Sequence, residues 1–170
     1  KSPRVAARFA ARLAGDATVA HSIAFAAATE FALNVETPPR AAALRDLMAA
    51  LERIATRLDD LTTLAGMLDA QHLHGRCGLH QEYLRRGFAA TFGHRLMMDC
   101  VVPGGVAGDA DANGLSAMRQ VLGALIAAVP VIRASFPRDA VAGRLTGLGE
   151  GQREGEPAAR CQERWSATSG

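Results

Sequence analysis

The stretch Thr37-Pro-Pro-Arg40-Ala-Ala-Ala-Leu44-Arg-Asp-Leu47-Met-Ala-Ala-Leu51-Glu-Arg-Ile54-Ala-Thr-Arg-Leu58-Asp-Asp-Leu61-Thr-Thr-Leu64-Ala-Gly-Met-Leu68-Asp-Ala70 decides the architecture. Leu44, Leu47, Leu51, Ile54, Leu58, Leu61 and Leu68 recur three or four residues apart, so they line one side of a helix. The spacing predicts a single helix from Pro38 to about Ala70, roughly 50 Å long at 1.5 Å per residue. Thr37 is its N-cap candidate, Pro38 suits its first turn, and Gly66 weakens its last turns. The leucine stripe must be buried against other elements.

Those elements are also helical by pattern. Pro3 to Ala14 reads as a helix with Ser2 as N-cap, Gly15 as its stop, and Val5, Phe9 and Leu13 on one face. Thr18 to Leu33 is apolar nearly all round (Val19, Ile23, Phe25, Phe31), which places it at the centre of a bundle. Leu79, Tyr83, Leu84, Phe88 and Phe92 mark a fourth helix up to Gly93. Leu115, Met118, Leu122, Leu125, Ile126 and Val129 mark a fifth, kinked at Pro130. Between them Asp99 to Asn113 reads as a loop around Pro103-Gly104-Gly105, with a short strand at Cys100–Val102. The expected fold is all-α: about five helices around a long central one in residues 1–136. A loose tail rich in Gly, Arg and Glu follows over 137–170.

Composition agrees. Aromatics are 5% of the 170 residues, while Ala and Leu abound, favouring helices over strands. The net charge of +2, with no dense basic run, excludes a nucleic-acid footprint. Cys77, Cys100 and Cys161 never stand as C-x-x-C, so neither a disulfide framework nor a self-contained zinc or iron–sulfur site is expected, and a reducing compartment fits. No apolar run is expected to cross a bilayer, and nothing resembles a signal peptide. A chain starting at Lys1 is expected to be a fragment or a processed product.

Four constellations bear on chemistry. His72, His74, Cys77 and His80 supply soft ligands within nine residues, though not at an established zinc spacing; surface histidines are the simpler reading. Asp109-Ala-Asp111-Ala-Asn113-Gly114 matches the first half of an EF-hand loop, but position twelve is Gln120. The simpler reading is a polar loop in which Asp111 or Asn113 caps the fifth helix. Glu52, Arg53, Arg57, Asp59 and Asp60 interrupt the leucine helix. Glu52 and Arg53 are either a buried pair or solvated charges; for the others solvation is expected. Asp16, Thr18, His21 and Ser22 hint at a nucleophile, but His21 and Ser22 are adjacent on a helix and face apart. No Walker A, G-x-G-x-x-G or G-x-S-x-G is present.

Ala11-Arg-Leu-Ala-Gly15-Asp-Ala-Thr-Val-Ala-His21-Ser22, Glu36-Thr-Pro-Pro-Arg40-Ala, Leu51-Glu-Arg-Ile54, Phe92-Gly-His-Arg-Leu96-Met-Met-Asp99 and Val102-Pro-Gly-Gly-Val106 fall in one order. Over about residues 3 to 136 this set resembles the large subunit of group-four, membrane-linked [NiFe] hydrogenases of the formate hydrogenlyase type. It also resembles the homologous forty-nine-kilodalton chain of complex I, the NADH:quinone oxidoreductase.

The resemblance implies an oxidoreductase complex. In it the chain packs against an iron–sulfur small subunit and other subunits of a membrane-associated assembly, in the cytoplasm and peripheral to the inner membrane, without a transmembrane segment. The iron–sulfur cluster, NADH and quinone belong to that complex and not to this chain. The nickel ligands of true hydrogenases are two C-x-x-C pairs. The first would fall at Ala14 and Ala17, and near the second only Cys161 is present. The quinone-binding segment of complex I would precede Lys1, and the family histidine after Glu-Arg-Ile is Arg57. After about Leu148 the likeness ends, which implies truncation. No metal and no catalytic residue is therefore expected of this chain, and its cofactor-binding residues are left unassigned. Arg40, Glu52, Arg53 and Arg95 match family positions and are expected to be structural or interface charges, and an isolated chain is expected to self-associate.

Overall fold

Helix is where apolar periodicity survives, and the computed structural model, which describes residues 2–136, follows it closely. In chain order it contains α1 (Pro3–Ala10), α2 (Thr18–Leu33), α3 (Pro39–Met67), α4 (Gln71–Phe92), β1 (Val101–Val102), β2 (Gly105–Val106) and α5 (Ala112–Ser135). The fold is all-α, with four helices around the long α3 and a two-stranded hairpin as its only sheet among the described residues. The predicted tail, residues 137–170, lies outside the described residues.

α3 has 29 residues, about 44 Å of helix. Leu44, Met48, Leu51 and Leu58 are its buried line, and α4 packs along it. Leu84 and Phe88 of α4 complete the centre with Val19 and Ala26 of α2, Met97, Val101, and Met118 and Leu125 of α5. Pro38, rather than Thr37, holds the N-cap position, and neither Pro38 at α3 nor Ser2 at α1 makes a side-chain capping bond. α3 stops at Met67, three residues before the expected end, because the chain turns at Asp69, whose φ is +54°. α4 passes straight through Gly75 and Gly78 and ends at Gly93, whose φ of +81° is the left-handed stop that glycine accommodates. The loop forms the expected strand. Val101 pairs with Val106 and Val102 with Gly105 across the Pro103-Gly104 turn, where Gly104 takes φ +87°.

Three expectations are corrected. α1 ends at Ala10, and its Val5, Phe9 and Leu13 face outward; Ala7, Ala10 and Ala11 are the buried face. Alanine lets the α1 and α2 backbones approach, so here small size decides the contact. α2 keeps its predicted bounds but is not central. One face is buried, while Ala24, Ala27, Ala28 and Phe31 are exposed, Phe31 at 91%. In α5, which begins three residues earlier than expected and remains helical through Pro130, Ile126 and Val129 are exposed, and Ile132 is buried instead. Ile126 follows Leu125 directly, so it sits about 100° round the helix from the inward line set by Met118, Leu125 and Ile132.

α5 is also long and apolar enough to cross a membrane on length and composition alone, a criterion that no segment was expected to meet. Its mean hydropathy over the most apolar window is 1.7. The core helix of a soluble protein, mostly buried, passes the same test, but only 17% of this window is buried.

α5 meets α4 through two glycines. Gly87 makes room for Met118, and a methyl group on Gly114 would come within 3.0 Å of Thr91 Cα. Thr91 Oγ1 bridges the pair by donating to the Gly87 carbonyl at 2.9 Å or the Gly114 carbonyl at 3.0 Å. We expect Gly114→Ala to push the helices apart and cost roughly 1–3 kcal/mol. Gly123→Ala, where no atom lies within 4 Å, should leave stability unchanged or raise it by up to about 1 kcal/mol. Chemical denaturation of the two variants checks the contrast.

Candidate functional site

The polar groups that hold the fold converge on the turn between α1 and α2 and on the hairpin. At the turn, Ala14 and Ala17 stand where the hydrogenase resemblance places thiolates. The Ala14 carbonyl accepts from Ala17 N at 3.4 Å and Thr18 Oγ1 at 3.4 Å, and Ala17 precedes the first residue of α2. A methyl group offers no lone pair, so this turn does not fit a nickel–iron centre.

Beside the turn lies a cavity of about 30 Å³, lined among others by Asp16, Glu52, Thr56, Asp59, Arg85 and Met97. Glu52 enters it from the middle of α3 and accepts from Val19 N at 2.6 Å and Ala20 N at 2.9 Å. A carboxylate here satisfies two free amides at the start of α2 and meets the positive end of that helix. Glu52 is thus neither paired with Arg53 nor solvated: it caps a neighbouring helix. Arg53 is exposed. Thr56 Oγ1 reaches the Asp16 carbonyl at 3.2 Å, and Arg85 Nη2 reaches Asp59 at 3.3 Å. Arg85 Nε is buried without a hydrogen-bond partner. The cavity has room for one water, which would serve that group.

The hairpin is held by a pair that sequence reasoning missed. Glu30, the only charged residue in α2, is 9% exposed, and Arg45 of α3 is 6% exposed. Arg45 Nη2 donates to Glu30 Oε1 at 2.6 Å, and Nη1 to Oε2 at 3.1 Å. Its remaining donors reach the Val102 carbonyl at 2.8 Å, the Gly105 carbonyl at 2.8 and 3.1 Å, and Thr37 Oγ1 at 3.3 Å. Glu30 Oε1 also accepts from Gly104 N at 2.7 Å. One guanidinium thereby joins α2, α3 and both strands. Hydrogen bonding to Arg45, partly opposed by burial, pulls the Glu30 carboxyl down to about 2. A lone Glu in an apolar helix and a lone Arg beside Leu44 were the signal available.

A larger groove of about 460 Å³ lies between α3, the end of α4 and the loop, with Leu44, Met48 and Phe92 among its lining and His94, Asp99, Cys100 and Asp109 beside them. Most polar side chains there already have a partner. His94 Nδ1 accepts from Leu96 N at 3.1 Å and Met98 N at 3.2 Å. Asp99 takes both guanidinium nitrogens of Arg12, at 2.8 and 2.9 Å, which holds its carboxyl below the usual range. Burial, with the Asp99 charge, pushes the Cys100 thiol up to about 11, so it stays protonated near neutrality and is a poor nucleophile. Asp109 is held by Arg40 at 2.8 Å; that Arg also reaches the Ala110 carbonyl. Arg95 pairs with Glu82 at 2.6 Å, and Glu82 also receives Arg86.

The other constellations do not come together. His72 is exposed, His74 Nδ1 lies 3.0 Å from the Thr62 carbonyl, Cys77 is fully buried, and His80 meets Tyr83 edge-on. Among the described residues no three His, Cys, Asp or Glu side chains are grouped to hold a metal ion. Asp111 Oδ1 accepts from Gly114 N at 2.6 Å and caps α5. Asn113 lies within that helix, and Gln120 is exposed on it. Ser22 Oγ is buried and donates to the Thr18 carbonyl at 2.7 Å, so it serves its own helix, next to half-buried His21. Arg57 and Asp60 form an exposed pair, while Asp59, half-buried, faces Arg85. No protein-family model and no curated protein matches this chain.

The buried pair sets an acid limit. Glu30 is depressed from 4.5 to about 2 on folding, so its stabilisation is complete above the unfolded value and is lost as pH falls through the folded one. Glu30→Gln leaves Arg45 without its counter-ion and should cost roughly 3–5 kcal/mol at pH 7. The variant's stability should also fall less between pH 4.5 and 2 than that of the parent. Urea titrations across that range measure both effects.

Proposed function

We propose that the chain is a large-subunit-like component of an NADH:quinone oxidoreductase or [NiFe]-hydrogenase-related redox complex, one whose residues here contribute a helical framework and no metal site of their own. The observation that carries this reading is the meeting of the separated motifs. Arg12 from the first grips Asp99 from the fourth, and Glu52 from the third caps the helix that contains His21 and Ser22. Motifs up to 87 residues apart are thus one structural unit.

The site residues fit a structural part. Arg40, Glu52 and Arg95 each bind across elements: Arg40 ties the start of α3 to the loop after β2, and Arg95 ties the turn after α4 back to Glu82. A redox role for this chain would come through its neighbours, an iron–sulfur small subunit holding the cluster and other subunits handling NADH and quinone. The outward Phe31 and Ile126 leave apolar area of the kind subunit contacts use.

A second reading is a non-catalytic scaffold that binds partner subunits only. The internal ion pairs of Asp99 and Asp109 at the groove favour it, since both carboxylates are held by arginines of the same chain.

Co-expression with an iron–sulfur small subunit of this class, followed by size-exclusion chromatography and metal analysis, tests the first reading. Co-elution with iron and less than about one-tenth equivalent of nickel is expected. Stoichiometric nickel on the isolated chain overturns the absence of a metal site, and failure to co-elute overturns the subunit assignment.

A further inference from the structure

α1 turns the wrong side outward for a helix that only packs on its own domain. Its inner face is three alanines, Ala7, Ala10 and Ala11, while Val5, Phe9 and Leu13 are 48%, 68% and 72% exposed. These three lie four residues apart and form one stripe along α1 and the turn that follows it. Beside it, offset by one residue in sequence, are Arg8 and Arg12 at the same spacing. The Arg8 and Arg12 side chains are 69% and 47% exposed, and Asp99 is the acidic group that answers them. No acidic residue occurs between Lys1 and Gly15. Apolar surface continues past the start of α1 into a groove of about 220 Å³ where Leu33 and Val35 of the α2 end meet Ser2 and Pro3.

An aromatic and aliphatic stripe beside paired arginines is the pattern of a helix lying in the plane of a membrane interface. There apolar side chains enter the headgroup boundary and arginines meet anionic lipid. A second copy of the chain fits less well. It would bring its own arginines to the seam with no acidic residue from α1 to answer them. In addition, α1 and its turn are far short of the roughly 20–30 residues per side that a stable protein interface uses. A bilayer needs no such area, because a few inserted side chains and the charge attraction add together.

We infer that α1 is a binding surface for anionic lipid, with Phe9 and Leu13 inserting and Arg8 at the headgroups. The inference uses only the surface of α1 and goes beyond the redox-complex reading; it holds or fails without any iron–sulfur partner.

Sedimentation of the full chain with vesicles tests it, using phosphatidylcholine alone or phosphatidylcholine mixed with phosphatidylglycerol. The chain should pellet with the mixed vesicles and bind about tenfold more weakly to the neutral ones or at high salt. Phe9→Ala with Leu13→Ala should weaken binding by about tenfold or more. The melting temperature should stay unchanged, because both side chains are exposed. Ile126→Ser on α5 is the control and should leave binding intact. Absence of binding to the mixed vesicles overturns the inference, as does binding that survives the double substitution or is lost only with Ile126→Ser. If the double substitution instead converts a dimer seen by light scattering into a monomer with no vesicle binding, the stripe is a self-association surface and the lipid assignment is wrong.

Discussion

The Arg45–Glu30 pair is the constraint on which the remaining geometry rests. A guanidinium buried among helices must have its donors satisfied, and two helices cannot do this alone because their carbonyls are used internally. The Val102 and Gly105 carbonyls supply the missing acceptors. The two-residue strands, too short to persist independently, are thereby fixed beside α2 and α3. The position of the hairpin in turn sets the loop on either side, which brings Asp99 to Arg12 and Asp109 to Arg40. Burial of such a pair gains little net stability over a well-packed apolar one. Its effect is to admit one arrangement of the three elements.

A hierarchy of polar contacts surrounds it. Glu52 works through a helix terminus, half-buried, where backbone amides and carboxylate are both short of partners. Arg40, Arg95 and Arg57 sit at the surface, where solvent screening leaves ion pairs weak. Glu82 makes the point: two arginines draw its carboxyl down to about 2, yet its exposure means that this depression says little about stability. The polar chemistry among the described residues is therefore mostly internal bracing.

Much of the fold was legible in the residues. The leucine spacing from Leu44 to Leu58 gave α3 because only one period suits a helix that long, and Pro103-Gly104 gave the turn because only glycine takes its φ easily. α2 was placed to the residue, yet its position in the bundle was misjudged. Hydrophobicity says that a face can be buried but not which one is, and α2 buries the face with Glu30 and Ser22. α1 was misjudged for the same reason, since its alanines give the close contact and its large side chains do not. At the site, Asp111 was legible as a cap. The Glu52 contact with Val19 and Ala20 and the Arg45–Glu30 pair were not, because they depend on partners 33 and 15 residues away.

Amide hydrogen exchange on the unmodified chain at neutral pH examines the central claim without changing a residue. If one guanidinium joins α2, α3 and the hairpin into a single cooperative unit, the Gly104 amide, bonded to Glu30, should be protected to a similar degree as the amides around Leu51 in α3. Rapid exchange at Gly104 and Ala107 beside a slowly exchanging α3 would show that the hairpin opens alone, and that the buried pair does not hold the structure together.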